Sequence, residues 1–131
     1  MQKLELFPTE VFVFQNDDVD NESLIEIMKT LNDTKIKKST NISIIYDLQS
    51  HPAFKDLFLW FEECLEKIRI TQHYDCDKIS ITNSWFNVSL GGYKMFQNYH
   101  KHSMSMFSAV YYMTPGSATI FEDPEVHRTE A

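Results

Sequence analysis

The stretch PAFKDLFLWFEECLEKIRI, residues 52–70, carries the clearest periodic pattern in the chain. Its apolar side chains recur at intervals of three and four residues, which places them on one face of an α-helix. They are Phe54, Leu57, Phe58, Phe61, Leu65 and Ile68. Pro52 stands at the start, where its missing N–H costs no helical hydrogen bond. The pattern predicts a helix over residues 52–70 with one broad apolar face.

The part of the chain before this helix contains a second helical pattern and two strand-like runs. Acidic and asparagine residues precede an apolar set at helical spacing, which predicts a helix near residues 21–31. That set is Leu24, Ile25, Ile27, Met28 and Leu31. Residues 4–14, interrupted by Pro8, are typical of an opening strand, and residues 42–48 of a short extended segment.

The residue pattern of the sequence changes after residue 77. Short β-branched or aromatic runs follow one another, and they are separated by the turn residues Gly91-Gly92, Pro115-Gly116 and Pro124. From Lys78 onward this pattern predicts four or five strands. We therefore expect helical support in residues 1–75 and a β-rich half in residues 76–131.

Composition indicates one domain of a protein that acts away from membranes and nucleic acids. The chain has 131 residues, of which 43% are hydrophobic, enough for a single core. A formal net charge of −7 argues against nucleic acid or an anionic membrane as the main partner. No stretch approaches the roughly 20 apolar residues of a membrane span. With no secretory signal, Cys64 and Cys76 are predicted to be reduced thiols of a cytoplasmic protein, and a homo-oligomer is left open.

Two histidines stand one residue apart in NYHKHSMSMFSAVYYM, residues 98–113. On a strand, His100 and His102 would point to the same face, with imidazoles about 6–7 Å apart, and could converge on one divalent cation. The alternative is two surface residues on a polar loop. A cupin-type metal site would need a glutamate after the pair, and residues 103–107 contain no carboxylate. The cupin alternative is therefore weakened.

The setting of the histidine pair resembles a family of Fe(II)- and 2-oxoglutarate-dependent oxygenases of marine bacteria and their phages. The matching elements follow one another over most of the chain and are densest over residues 84–124. In order they are Ser84-Trp85-Phe86-Asn87, Gly91-Gly92, His100-Lys101-His102, Ser108-Ala109-Val110-Tyr111-Tyr112 and Asp123-Pro124. The resemblance implies an α+β fold in which a double-stranded β-helix, or jelly roll, is supported by two packed N-terminal helices. It also implies a cytoplasmic location in a bacterium or a phage-infected host.

The same resemblance implies a site for Fe(II) and 2-oxoglutarate. His100 matches the first metal ligand, and His102 stands where related oxygenases carry Asp or Glu. His127 is the candidate for the third ligand, with an exposed histidine near the chain end as the alternative. Asn87 and Tyr112 are the candidates for binding the cosubstrate. Tyr112 shares its face of the predicted strand with Ser108 and Val110.

The match has two departures. The family's distant histidine and its basic anchor for 2-oxoglutarate normally lie several tens of residues after the pair, whereas this sequence offers only His127 and Arg128 there. The strands predicted are also fewer than a closed roll of eight requires. A truncated chain, a degenerate half-barrel or completion by a partner subunit would each explain this, and truncation is favoured.

Two functions of different classes follow. The first is a dioxygenase that hydroxylates an unknown substrate, which could be a protein side chain, a nucleobase or a small metabolite. The second is a non-catalytic phage or bacterial β-rich binding or structural module that keeps the family fold without its chemistry. The missing distal histidine and basic residue favour the second, and the order of the motifs favours the first.

Overall fold

The computed structural model describes residues 1–4, 9–35, 47–87, 102, 104–116 and 119–121, except for the side chains of residues 32–35. The chain forms two compact units, Met1–Met95 and Phe96–Ala131. The one oxygenase-like domain expected over residues 1–131 stays a prediction. Among the described residues, no helix is long and apolar enough to cross a membrane.

Helix α1 spans Asn21–Lys35 and confirms the helix predicted near residues 21–31. It begins where Asp20 caps the free N–H groups of the first turn. The Asp20 carboxylate accepts hydrogen bonds from the Ser23 backbone N–H at 3.1 Å and from the Ser23 hydroxyl at 2.6 Å. These two bonds, the hydroxyl bond first, lower the pKa of the Asp20 carboxyl. Leu24 is the buried residue of this helix.

Helix α2 spans Lys55–Thr71 and confirms the main part of the helix predicted over residues 52–70. The first residues differ from the prediction, because Pro52–Phe54 forms a separate turn of 3₁₀ helix that follows another at Leu48–Ser50. His51 caps the second turn, since its Nδ1 accepts the Ala53 backbone N–H at 3.2 Å. The sequence pattern detected the helix but not this tighter start.

The core of the first unit lies around the Pro52–Phe54 turn. Both α1 and α2 contact this turn, and Phe54 within it has no exposed surface. The buried apolar side chains are Leu24, Leu48, Phe54, Leu57, Phe58, Cys64, Ile68 and Phe86. Phe61 and Leu65, which the pattern also assigned to the core face, are half-buried. Burial raises the pKa of the Cys64 thiol, and Cys64 and Cys76 are both free thiols.

The predicted α+β double-stranded β-helix is wrong. The described residues contain two α-helices, two short 3₁₀ turns and no β-strand. Residues 78–87 and 104–116, where strands were expected, form no strand. An isolated parallel bridge joins Asp47 to Ser84, and Asn87 is a further bridge residue. The opening strand predicted over residues 4–14 is also absent at residues 9–14. The short extended segment was predicted over residues 42–48, of which 42–46 lie outside the described part. Strand-forming residues create a strand only when a neighbouring segment pairs with them over several residues.

In the second unit the described segment 106–113 keeps the predicted alternation only in part, because Ala109, expected on the same face as Phe107, Tyr111 and Met113, is exposed. Phe107, Tyr111 and Met113 are half-buried, whereas Ser108, Val110 and Tyr112 are exposed. The predicted turn at Pro115-Gly116 is confirmed, and Gly116 has a φ of +101°. Proline followed by a glycine with positive φ is the pattern of a type II turn. The turns expected at Gly91-Gly92 and Pro124 lie outside the described residues.

Candidate functional site

Three of the five predicted site residues lie in the described part of the chain. Asn87, His102 and Tyr112 are all exposed, and Tyr112 retains 45% of its accessible surface. The other two, His100 and His127, lie outside the described residues. Asn87 belongs to the first unit, whereas His102 and Tyr112 belong to the second. The assignment of these residues to metal and cosubstrate stays a prediction.

The motif Ser84-Trp85-Phe86-Asn87 is held in place by hydrogen bonds of its first residue, Ser84. The Ser84 hydroxyl donates to Gln49 Oε1 and accepts the Gln49 backbone N–H at 3.1 Å. The Ser84 carbonyl accepts the Leu48 N–H at 3.4 Å, and Gln49 Nε2 donates to the Thr82 carbonyl at 3.4 Å. Phe86, two residues further on, is buried. Ser84 therefore holds the motif that includes Asn87 against the Leu48–Ser50 turn.

Tyr112 has a polar partner that the sequence did not reveal. Its hydroxyl is hydrogen-bonded to the Thr119 hydroxyl on the far side of the Pro115-Gly116 turn. The two residues are seven positions apart, which would place them on opposite faces of a strand, and the described residues between them are not helical. The only sequence signal for this contact was the turn between them, since a turn returns the chain toward the residues that precede it.

The loop after α2 is organised by hydrogen bonds from Arg69. The Arg69 guanidinium donates two hydrogen bonds to the Glu66 carboxylate, each at 2.7 Å. It donates a third to the Cys76 carbonyl at 2.9 Å. The bonds from Arg69 lower the pKa of the Glu66 carboxyl. Within the described residues, no group of three or more His, Cys, Asp or Glu side chains could hold a metal ion. His73, Asp75, Cys76 and Asp77 thus form no metal cluster.

His73 in this loop has a backbone role. Its φ is +54°, and the N–H groups of His73 and Tyr74 donate to the carbonyls of Ile70 and Arg69 at 3.2 and 3.1 Å. This pair of bonds is the Schellman arrangement that ends many helices, usually with glycine at the position of positive φ. The backbone conformation of His73 therefore belongs to the hydrogen-bonded turn that ends helix α2.

A shallow groove lies against α2 in the first unit. It has a volume of about 190 Å³ and is lined by Gln49, Lys55, Phe58, Leu59, Glu62 and Ile81. Its floor is apolar, and the Glu62 carboxylate is 3.6 Å from the Lys78 ammonium. Pockets for drug-sized ligands usually occupy about 300–1,000 Å³. The groove is smaller than such pockets, and Asn87, His102 and Tyr112, the predicted site residues that the structure describes, do not line it.

The donor set of the predicted metal site suits a divalent transition metal, because imidazole nitrogen is a ligand for iron, zinc, copper and nickel. In the described part of the chain this set is represented by His102, whose side chain is exposed and so accessible to an ion. No family model, curated protein or solved structure matches the chain.

Proposed function

We propose that the chain provides the metal site of an Fe(II)- and 2-oxoglutarate-dependent dioxygenase that hydroxylates a substrate C–H bond. The observation that carries this proposal is the order of residues in NYHKHSMSMFSAVYYM, residues 98–113, where a His-x-His pair precedes a segment of alternating exposure. Exposed His102 and Tyr112 both belong to the unit Phe96–Ala131, which also includes His100 and His127 in its range.

In this proposal the three histidines hold the metal. His100 and His102 supply two neutral imidazoles, and His127 supplies the third. Three neutral imidazole ligands carry one negative charge fewer than two histidines and a carboxylate. When bound, iron with 2-oxoglutarate and dioxygen supplies the oxidising chemistry that the side chains of the protein lack.

Tyr112 contributes binding and orientation. Its hydroxyl donates a hydrogen bond to a carboxylate oxygen of 2-oxoglutarate, and exposed Val110, two residues away, is an apolar neighbour. Asn87 offers an amide as a further hydrogen-bond donor. The substrate is a protein side chain, a nucleobase or a small metabolite, and none of these residues distinguishes among them.

Binding of metal and cosubstrate tests the proposal without knowledge of the substrate. Fe(II) and 2-oxoglutarate are added to the protein in the absence of oxygen, and the visible charge-transfer band of the ternary complex is recorded. We expect the band in the wild-type chain and its loss in His100→Ala and His102→Ala. His73→Ala is the matched control, because His73 is an exposed histidine of the other unit. His127→Ala should weaken metal uptake if His127 is the third ligand.

Two results would count against the dioxygenase. The first is a wild-type chain that shows no band although circular dichroism reports folded helices. The second is a His100→Ala variant that binds iron as tightly as the wild type.

A non-catalytic binding module is the second candidate function. The observation in its favour is a stretch of 18 residues, 104–121, that contains no charged side chain. Its exposed large apolar residues are Met104, Met106, Val110, Tyr112, Ile120 and Phe121. An exposed apolar surface of this kind commonly marks an interaction site. A folded chain that takes up no metal would favour this candidate over the dioxygenase.

A further inference from the structure

The hydroxyl groups of Tyr112 and Thr119 form a pair across the Pro115-Gly116 turn. Both side chains are exposed, so the pair lies where a ligand can reach it. The turn depends on Gly116, whose φ of +101° is disfavoured for residues with a side chain. The local backbone therefore brings two hydroxyl groups, seven residues apart, into hydrogen-bond contact.

The hydroxyl pair retains one hydrogen that it can donate to a ligand. Each hydroxyl has one hydrogen to donate and lone pairs to accept. The Tyr112–Thr119 bond uses one of the two hydrogens, so one hydrogen remains for donation outward. When Thr119 donates to the Tyr112 oxygen, the Tyr112 O–H is the outward donor, and accepting a hydrogen bond strengthens it in that role.

The segment around the hydroxyl pair is uncharged, which limits how it can recognise a ligand. Residues 104–121 contain no charged side chain. They therefore contribute no cation to pair with a carboxylate and no anion to repel one. Within this segment an oxygen acceptor would be recognised by neutral donors, and the outward hydrogen of the hydroxyl pair is such a donor.

We propose that Thr119 is a positioning residue that holds the Tyr112 hydroxyl in the orientation in which it donates to a carboxylate oxygen of 2-oxoglutarate. This inference rests on the dioxygenase function proposed above and adds Thr119 to its cosubstrate site. Thr119 acts through Tyr112 and does not itself contact the reacting atoms.

The experiment separates cosubstrate binding from metal binding. Thr119→Val removes the hydroxyl but keeps the shape of the side chain, and Thr119→Ser restores the hydroxyl. Dissociation constants for 2-oxoglutarate are measured on the Fe(II)-loaded protein without oxygen, by titration of the charge-transfer band, and the Fe(II) affinity is measured separately. Thr114→Val is the matched control, since Thr114 is an exposed threonine of the same turn.

We expect Thr119→Val to raise the dissociation constant for 2-oxoglutarate about three- to tenfold, the usual effect of one hydrogen bond. Tyr112→Phe should raise it at least as much, and combining the two changes should add little, because both remove the same donor. Thr119→Ser and Thr114→Val should bind 2-oxoglutarate as the wild type does. Fe(II) affinity and the circular dichroism spectrum should be unchanged in all four single variants.

Three outcomes would overturn the inference. If the wild-type chain binds 2-oxoglutarate and Thr119→Val binds it equally well, Thr119 has no role in the site. If Fe(II) affinity falls in parallel with 2-oxoglutarate affinity, Thr119 acts on the fold and not on Tyr112. If the wild-type chain shows no band, the dioxygenase function fails, and this inference fails with it.

Discussion

Ser84 shows how one side chain can secure a segment that has little secondary structure. Its hydroxyl bonds to both the backbone N–H and the side-chain oxygen of Gln49, which lies 35 residues earlier in the chain. An isolated parallel bridge also pairs Asp47 with Ser84. Among the described residues, the Ser84 hydroxyl makes two of the hydrogen bonds that hold residues 82–86 to the Leu48–Ser50 turn.

Replacing Ser84 with alanine should lower the free energy of unfolding of the first unit by about 1–2 kcal/mol. The Gln49 N–H would lose its acceptor at a part-buried position. Urea denaturation monitored by far-UV circular dichroism measures the change. Ser80→Ala is the control, since Ser80 is an exposed serine of the same segment. Equal midpoints for the two variants would show that the Ser84 hydroxyl contributes nothing.

His73 carries a strained backbone that glycine would relieve. Its φ of +54° places a Cβ atom in the left-handed region, which costs about 1 kcal/mol for an ordinary residue. We expect His73→Gly to raise the free energy of unfolding by up to about 1 kcal/mol. His73→Ala keeps the Cβ atom and should give no such gain, so a similar gain in both variants would assign the effect to the imidazole. Urea denaturation at neutral pH distinguishes the two results.

The last turn of helix α2 depends on a charge pair whose strength varies with pH. Arg69 holds the Glu66 carboxylate with two hydrogen bonds, which lower the Glu66 pKa in the folded protein. The unfolded chain binds a proton at Glu66 more readily than the folded chain does. The contribution of this pair to stability is therefore present above the unfolded pKa of about 4.3 and is lost as pH falls through the lower folded value.

Glu66→Gln tests this pH dependence. We expect the variant to be less stable than the wild type at neutral pH and the difference to shrink as pH falls below about 4.3. Unfolding midpoints in urea, measured at several pH values, give the comparison. Glu63→Gln is the control, because Glu63 is an exposed glutamate of the same helix. A constant difference between Glu66→Gln and wild type at all pH values would contradict the proposed origin.

Helices were predictable from this sequence because their hydrogen bonds are local. The apolar side chains from Leu57 to Ile68 recur at intervals of three and four residues, and this spacing indicates the inward face of α2 whatever lies elsewhere in the chain. Strands depend on a partner, and the alternation around Val110 specifies a two-faced extended segment without specifying any neighbour for it. The alternation was therefore predicted in part, with Ala109 as the exception, and the prediction of a jelly roll was wrong.

The candidate site was predictable only in its residue types. A His-x-His pair and a tyrosine-rich segment are visible in the sequence, whereas the contacts of Tyr112 with Thr119 and of Ser84 with Gln49 are not. These contacts join residues across a turn or across 35 positions of the chain, where the pattern of residue types gives no signal.

The stability of the first unit as a whole rests on few buried side chains. Phe54 is the one with no exposed surface, and its ring meets the His51 imidazole edge-on at 5.5 Å between centroids. It lies in the Pro52–Phe54 turn, which both α1 and α2 contact. A cavity at this position would therefore weaken the packing of both helices at the same time.

Phe54→Ala should reduce the free energy of unfolding by about 3–5 kcal/mol, since a large aromatic side chain would be replaced by a cavity. That is a major part of the roughly 5–15 kcal/mol that stabilises a typical domain. Both tryptophans, Trp60 and Trp85, belong to the first unit, so tryptophan fluorescence in urea reports on this unit directly. Leu59→Ala is the control, because Leu59 is 49% exposed and should cost less than about 1 kcal/mol. If the two variants unfold at the same urea concentration, the core of the first unit is not centred on Phe54.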